Sequence, residues 1–283
     1  MIHIETINEL KEKINNAKSS AKSIGFVPTM GFLHEGHMAL AKNARAENDL
    51  VVMSIFVNPA QFGPNEDFDR YPRDLERDSA LAEEAGVDLL FIPSVEEMYP
   101  QDGGITIQAG QQANVLCGAS RPGHFDGVLK VVTKLFHIVE PTRVYFGQKD
   151  AQQLAIIETL VRDYNFPLEV RRVETIRETD GLAKSSRNVF LSEEERAEAP
   201  VLNQAIKKGL SEYKKHRDAQ KAIDVTKREI EENTSGKIDY VELLAYPDLT
   251  APSNEEQDVI LAVAVHFENA RLIDNLILTS KGE

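Results

Sequence analysis

An apolar run, a turn and the start of a helix follow one another between residues 24 and 37. Residues 24–27 predict a short buried strand, and Pro28 is expected to end it because proline cannot donate to a strand ladder. Gly31 can adopt a positive φ at little cost and so permits a tight turn. A strand, a turn and a helix start present backbone N–H groups and the positive end of a helix dipole to an anion. This stretch therefore predicts a ligand site within an α/β fold.

Two histidines lie at the predicted helix start. His34 and His37 are three residues apart and share one side of the helix, with the flat Gly36 between them. A single histidine is most often an ordinary surface or half-buried residue, but His-x-Gly-His directly after an apolar strand favours a phosphate or nucleotide site. A zinc pair is disfavoured, because the helical zinc motif spaces its histidines four apart and needs a third ligand.

The charge balance narrows the class of ligand. The 283 residues are 42% apolar and 28% charged, with a net charge of −14. This length allows one large or two ordinary domains with ample core. An acidic chain is a poor candidate for nucleic-acid binding, which requires a basic face. A small anionic ligand is still compatible, because a few local cations can hold it.

Cysteine content and hydropathy address the compartment. Cys117 is the only cysteine, so no intrachain disulfide can form, which suits a reducing cytoplasm. The sequence begins without a basic region followed by an apolar run, and no apolar run reaches membrane-spanning length. We therefore expect a cytoplasmic protein without a membrane partner.

Strand and helix patterns alternate through the first half of the chain. The predicted elements are a helix at 6–17, a strand at 24–27, a helix from 37 to 47, a strand at 50–57, a helix at 74–85, a strand at 87–92, a buried helix at 127–139, a strand at 143–146, a helix to 162 and a strand at 168–173. Residues 99–124 are predicted to be a loop with a short strand at 105–107. This alternation predicts an α/β fold with a Rossmann-like, doubly wound parallel sheet.

The pattern changes after residue 175. Ser192 and Glu195 form a predicted capping box that opens a region of highly charged helices, which extends to residue 233. Three strand patterns follow at 238–245, 259–267 and 271–278, and they predict a small antiparallel sheet. We therefore expect a Rossmann-like nucleotide-binding catalytic domain at 1–176 and a smaller α+β lid domain at 177–283.

Polar residues concentrate after the ends of the predicted parallel strands, where open α/β sheets bind their ligands. The segments that follow these strands contain residues 30–37, Asn58, Gln61, Gly147, Gln148, Lys149, Asp150, Ile176, Lys184, Ser185, Ser186 and Arg187, and their polar, cationic and glycine residues carry the argument. This convergence predicts one site at that edge.

Several of these residues also have simple structural explanations. Asp150 and Gln153 fit a capping box, and Asn58 and Gln61 could cap loops. The segment 184–187 could be a solvated loop, although two cations flanking two hydroxyls also suit a triphosphate. Neutral amides suit a substrate that carries its own carboxylate and hydroxyls. Cys117 fits a small packing residue.

Four motifs carry a resemblance to a known family. They are PTMGFLHEGH at 28–37, FVNPAQF at 56–62, FGQKDAQQ at 146–153 and KSSRN at 184–188. Together they resemble the pantothenate synthetase (pantoate–β-alanine ligase) family, within the nucleotidyltransferase superfamily that has the HIGH motif. Many members have a methionine where this chain has Lys184, so a backbone or packing role at that position is open.

The resemblance implies a reaction in two steps. The carboxylate of pantoate attacks the α-phosphorus of ATP with Mg²⁺, giving pantoyl adenylate and pyrophosphate. The amine of β-alanine then attacks the acyl carbon and releases AMP and pantothenate. Such transfers depend on positioning and charge stabilisation more than on a protein nucleophile. The resemblance also implies a homodimer. The acidic charge predicts no nucleic-acid partner, and no residue of the protein is assigned as a metal ligand.

The resemblance assigns roles residue by residue. The implied catalytic residues are His34, His37, Lys149 and Arg187, and His37 is the proton donor proposed for the family or a hydrogen-bond donor. The implied ATP-binding residues are Met30, Gly31, Phe32, Leu33, His34, Glu35, Gly36, His37, Gly147, Gln148, Lys149, Asp150, Ile176, Lys184, Ser185, Ser186 and Arg187. Gln61 and Gln153 are implied to hold pantoate, Gln61 also β-alanine, and Asn58 is placed with them.

Three rival functions are compatible with parts of the sequence. An enzyme that joins a phosphate ester to AMP would need further cations, and the neutral Asn58, Gln61 and Gln153 disfavour it. An aminoacyl-tRNA synthetase is disfavoured by the charge of −14 and the short length. A nucleotide sensor without catalysis would be distinguished by an assay for pyrophosphate release.

Overall fold

The computed structural model describes residues 1–63, 68–101, 103–253 and 257–280. The chain divides into two compact units. The first unit comprises residues 1–110, 121–148 and 156–174, and the second comprises residues 111–120, 149–155 and 175–283. The predicted domain division at residue 176 stays a prediction.

The first unit is built on a six-stranded sheet. Its strands are β1 (Ile2–Ile4), β2 (Ile24–Thr29), β3 (Leu50–Ile55), β4 (Leu89–Phe91), β5 (Arg143–Gly147) and β6 (Glu169–Val173). They lie in the order β1-β4-β3-β2-β5-β6, and every recorded pair is parallel. Buried apolar runs such as 51–53 are what a parallel strand covered on both faces requires. The predicted α/β class with a doubly wound sheet is confirmed.

The described residues before position 164 form seven α-helices. They are α1 (Ile7–Ser19), α2 (Glu35–Glu47), α3 (Leu75–Glu84), α4 (Val95–Met98), α5 (Leu116–Ser120), α6 (His124–Val139) and α7 (Ala151–Asp163). Helix α5 and residues 151–155 of α7 belong to the second unit. Helix α6 is apolar on most of its surface, and ten of its residues are buried. That burial explains why its sequence reads as apolar nearly all round.

Three details of the first half differ from the sequence predictions. Pro28 does not end β2, which continues to Thr29. The Thr29 carbonyl accepts from Phe56 on the β3 side, so the Pro28 nitrogen faces the β5 side, where the recorded pairing ends at Phe26. A proline is tolerated where no ladder bond is required. Residues 105–107 form no strand, and residues 99–124 instead contain a 3-10 turn at 111–114 and helix α5.

The second unit contains three further helices and a three-stranded sheet. They are α8 (Glu193–Glu198), α9 (Val201–His216), α10 (Ala219–Asn233), β7 (Lys237–Ala245), β8 (Val259–His266) and β9 (Arg271–Leu278). Both strand pairs are antiparallel, as predicted. The capping box that opens α8 is confirmed, because Ser192 and Glu195 exchange hydrogen bonds of 2.9 and 3.2 Å.

Within the described part of the chain, no helix is both long and apolar enough to cross a membrane.

Candidate active site

The order of the strands identifies a special edge of the first unit. The chain adds β3 and β4 on one side of β2, and it adds β5 and β6 on the other. The direction of strand addition therefore reverses between β2 and β5, and open α/β sheets bind ligands beyond the carboxyl ends of strands at such a point. Met30 and Gly147 stand at the ends of these two strands. Both were predicted to be site residues.

The turn after β2 is held by a buried carboxylate. Gly31 and Phe32 both have positive φ, at 84° and 49°. For phenylalanine this left-handed conformation is strained. The carboxylate of Asp78, on α3, accepts from the backbone N–H of Phe32 and of Leu33, each at 2.7 Å. Asp78 is 1% exposed, and its burial raises the pKa of the carboxyl group. The turn that precedes the histidines is thus set by a residue 41 positions beyond His37.

The two histidines are fixed through their Nδ1 atoms. His34 is the N-cap of α2, and its Nδ1 accepts from the Gly36 N–H at 3.1 Å. The Nδ1 of His37 accepts from the backbone N–H of His34 at 3.3 Å, and the ring centroids are 4.1 Å apart. A neutral imidazole whose Nδ1 accepts carries its proton on Nε2. Both rings therefore offer an Nε2–H donor at the positive end of a helix.

A set of amides follows β3. Pro59, Ala60 and Gln61 form a 3-10 turn that Asn58 caps by accepting from the Ala60 N–H at 3.2 Å. Asn58 donates to the Gln61 Oε1 at 3.1 Å, and the Gln61 Nε2 lies 3.1 Å from the Met30 sulfur. The first unit therefore brings Asn58, Gln61 and Met30 together, as the sequence predicted.

Helix α6 packs directly against the 3-10 turn at 59–61. A Cβ added to Gly127 would lie 2.1 Å from the Ala60 carbonyl oxygen, so only glycine permits this approach. The Nδ1 of His124 lies 2.8 Å from the Gln61 carbonyl oxygen, and the Gly127 carbonyl accepts from Asn58 at 3.0 Å. The tight helix contact fixes the backbone from which the Gln61 side chain extends.

The remaining predicted site residues follow β5 and β6 along the chain. Gly147 ends β5, Gln148 begins a 3-10 turn, and Gln153 lies in the first turn of α7. In the second unit, the Lys149 Nζ lies 3.6 Å from the Asp150 Oδ2. The Lys149 carbonyl accepts from Asn275 at 2.8 Å, which ties this turn to β9.

The segment around Lys184 has a defined structure in the second unit. Ile176 accepts from the Lys184 N–H at 2.9 Å, so the two predicted residues are neighbours. Ser185 caps a 3-10 helix at Ser186–Phe190 by accepting from the Arg187 N–H. No carboxylate occurs between residues 181 and 189, but Lys184 forms an ion pair with Glu178 at 3.2 Å. Lys184 therefore has a carboxylate partner within the second unit, and Arg187 is exposed.

Sequence reasoning missed three residues of this region. Asp78 was read only as part of an amphipathic helix, and Tyr99 and Gly127 were not singled out. The role of Asp78 has no local signal in the sequence, because its hydrogen-bond partners lie in a turn that is far away along the chain. Cys117 is more than a packing residue: its sulfur lies 3.3 Å from the Tyr240 hydroxyl and 3.5 Å from an Arg271 nitrogen.

The sequence matches one family along nearly its whole length. A model of the family described as pantoate-beta-alanine ligase matches residues 2–277. A pantothenate synthetase from Lysinibacillus sphaericus (strain C3-41) is 64% identical over 98% of this chain and 97% of its own length. A pantothenate synthetase from Bacillus subtilis (strain 168) is 56% identical over 98% of this chain and 97% of its own length.

Solved structures give the same result. A pantothenate synthetase from Thermus thermophilus has a TM-score of 0.89 and 46% identity, covering 98% of this chain and 99% of that one. A pantoate-beta-alanine ligase from Francisella tularensis, described as complexed with beta-gamma ATP and beta-alanine, has a TM-score of 0.81 and 34% identity. That similarity covers 100% of this chain and 99% of the other.

Proposed function

The chain belongs to the pantoate–β-alanine ligase family, and from that premise we propose that it forms pantothenate from pantoate, β-alanine and ATP. It is then a carbon–nitrogen ligase that uses ATP as its magnesium complex. The observation that carries the proposal is the pair of imidazoles at the start of α2, which offer two Nε2–H donors where the sheet order reverses. Homodimer formation is implied by the resemblance and a cytoplasmic location is expected from the sequence, and both stay predictions.

The first step is transfer of the adenylyl group. A carboxylate oxygen of pantoate attacks the α-phosphorus of ATP, and the bond from that phosphorus to pyrophosphate breaks. Negative charge on the phosphate oxygens is stabilised by the N–H groups of His34 and His37 and by the helix dipole. Since both Nδ1 atoms accept from backbone N–H groups, the rings act as neutral donors of hydrogen bonds. Mg²⁺ enters with the phosphates of ATP.

The second step forms the amide. The amine of β-alanine attacks the acyl carbon of pantoyl adenylate, AMP leaves with the bridging oxygen, and the amine loses a proton. Gln61 is proposed to hold the acyl substrate with Gln153, and Lys149, Ser185, Ser186 and Arg187 are proposed to bind phosphate oxygens. Gly147, Asp150 and Ile176 are proposed to line the adenosine. No step requires a covalent bond to the protein.

The proposal is tested by mixing the protein with ATP, Mg²⁺ and pantoate, with and without β-alanine. We expect pantothenate, AMP and pyrophosphate in equal amounts when all substrates are present. ATP consumption that yields ADP and phosphate would contradict the proposal. Binding of ATP without any pyrophosphate release would favour a nucleotide sensor instead.

A further inference from the structure

We infer that Asn58 is a positioning residue that fixes the Gln61 amide so that Gln61 presents its Nε2–H group, a donor, to an oxygen of the acyl substrate. The inference rests on the proposed function, because it states which hydrogen-bonding group, a donor, the proposed pantoate site presents to its substrate. It also changes the expectation that Asn58 itself contacts substrate. Every residue that carries the argument lies in the first unit.

Backbone groups determine the orientation of Asn58. Its Oδ1 accepts from the Ala60 N–H at 3.2 Å, and its Nδ2 donates to the Gly127 carbonyl at 3.0 Å. A backbone N–H can only donate and a backbone carbonyl can only accept. The two ends of an asparagine amide are easily interchanged in a structure, but here the reversed amide would oppose like groups at both ends. Only one orientation of the Asn58 amide therefore satisfies both backbone groups.

The remaining hydrogen-bonding capacity of Asn58 is also used. The Tyr99 hydroxyl donates to Oδ1 at 2.9 Å, and the second Nδ2 hydrogen is directed to the Gln61 Oε1 at 3.1 Å. An asparagine amide has two hydrogens and two carbonyl lone pairs, so these four bonds use all of them. The residue is 1% exposed. All hydrogen-bonding groups of the Asn58 amide are thus bound to the protein itself, so any effect of Asn58 on the substrate must act through Gln61.

The orientation of Gln61 follows from that of Asn58. Because the Gln61 Oε1 accepts from Asn58, its Nε2 occupies the other end, 3.1 Å from the Met30 sulfur. Reversing the Gln61 amide would place two N–H donors against each other. A thioether sulfur is a weak acceptor, so a carboxylate or hydroxyl oxygen is a better partner for this N–H. The site therefore favours an oxygen acceptor at Gln61 and disfavours an ammonium group.

Tyr99 supports the arrangement at the Oδ1 end of the Asn58 amide, whereas Gln61 is bound at the Nδ2 end. Burial raises the pKa of the Tyr99 hydroxyl to about 12, so this group keeps its proton and stays a donor at neutral pH. Its ring lies beside the ammonium groups of Lys130 and Lys134, whose nitrogens are 4.8 and 5.7 Å from the ring centroid. Cation–π attraction at such distances stabilises the ring position.

A double-mutant cycle on pantoate binding tests the inference. The variants are Asn58→Ala, Gln61→Met and the pair together, with pantoate affinity measured by titration calorimetry. Each single variant is expected to weaken binding by about tenfold, the loss typical of a hydrogen bond of about 1.4 kcal/mol. Because Asn58 acts through Gln61, the pair should bind no more weakly than Gln61→Met alone. Additive losses would overturn the inference, since they require Asn58 to contact the substrate itself.

Tyr99→Phe gives a second readout if Asn58→Ala folds poorly. It should raise the KM for pantoate by a few fold while the KM for ATP stays unchanged. Tyr145→Phe is the matched control, because its buried hydroxyl also pairs with an asparagine, Asn48, at 2.7 Å. An unchanged pantoate KM in Tyr99→Phe, or an equal rise in Tyr145→Phe, would overturn the role of Tyr99.

The binding measurement also separates this inference from the proposed function. A parent protein that binds pantoate but makes no pantothenate would overturn the proposed function, and the double-mutant cycle on pantoate binding could still be measured and interpreted. A parent protein that makes pantothenate and shows additive losses would overturn the inference alone. A parent protein that binds no pantoate would overturn both.

Discussion

Replacing Asp78 should damage activity from a position that does not touch substrate. Its carboxylate accepts two backbone N–H groups of the strained turn, each at 2.7 Å, and it is 1% exposed. In Asp78→Ala both N–H groups lose their partner at about 1–3 kcal/mol each, so we expect a loss of about 2–6 kcal/mol in the free energy of unfolding. Asp78→Asn keeps one acceptor and opposes an N–H with its own NH₂, for a loss of about 1.5–3 kcal/mol.

The effect on catalysis follows from the turn. Phe32 holds a left-handed conformation that costs about 1–3 kcal/mol, and without Asp78 the turn is free to relax. His34 follows Phe32 by two residues, so relaxation of the turn would shift His34 and His37 away from the phosphates. We expect kcat for Asp78→Asn to fall by about 10²-fold, as for loss of a transition-state donor. The assays are chemical denaturation and steady-state pyrophosphate release.

Asp88→Asn is the matched control. Its carboxylate also accepts a backbone N–H, from Val51 at 2.8 Å, and an arginine, Arg45 at 2.7 Å. It precedes β4 and so lies at the amino ends of the strands, away from the candidate site. This variant should lose stability and keep its kcat. The reasoning is refuted if Asp78→Asn loses stability and keeps the kcat of the parent, as Asp88→Asn does.

Four further outcomes are expected. His34→Ala and His37→Ala should each lower adenylate formation by about 10²-fold with an intact fold, measured by pyrophosphate release and circular dichroism, and near-normal turnover in both would remove them from the site. Cys117→Ser should stay substantially active, because no proposed step requires a covalent bond to the protein; a folded but inactive variant would instead indicate an acyl thioester on Cys117. Arg187→Ala should release more pantoate and AMP per adenylate formed when β-alanine is absent, because the proposed lid would exclude water less well; a normal rate in this variant, together with hydrogen exchange across 181–190 of the parent protein that ligands leave unchanged, would refute the lid. Gly127→Ala should lower both stability and pantoate affinity, because its Cβ would lie 2.1 Å from a carbonyl oxygen, and normal values would contradict that contact.

Local sequence patterns predicted the parts of the site that depend on neighbouring residues. The helix start at His34 and the 3-10 cap at Asn58 each depend on residues within a few positions. The positive φ of Gly31 follows from its residue type, although the rest of that turn is held by the distant Asp78. The parallel sheet followed from apolar runs separated by helical patterns, because burial on both faces requires such runs. The three-residue strand β1 was missed, since so short a segment has no clear period.

Contacts between distant segments were not predictable from the sequence. Tyr99 reaches Asn58 from 41 positions away, and the helix that contains Gly127 approaches the same turn. Hydrophobic periods and caps carry no information on which distant residues meet. The residues that hold the site in shape are therefore the ones that required a structure.

The central claim is that pantoate is activated as an acyl adenylate, and an isotope measurement tests it most directly. Pantoate labelled with ¹⁸O in both carboxylate oxygens is converted with ATP and β-alanine, and the AMP is analysed by mass spectrometry. Attack of the carboxylate on the α-phosphorus leaves one labelled oxygen in the bridge, and AMP departs with it. The account predicts one ¹⁸O atom in each AMP formed. Unlabelled AMP, with pantothenate formed at the normal rate, would contradict it.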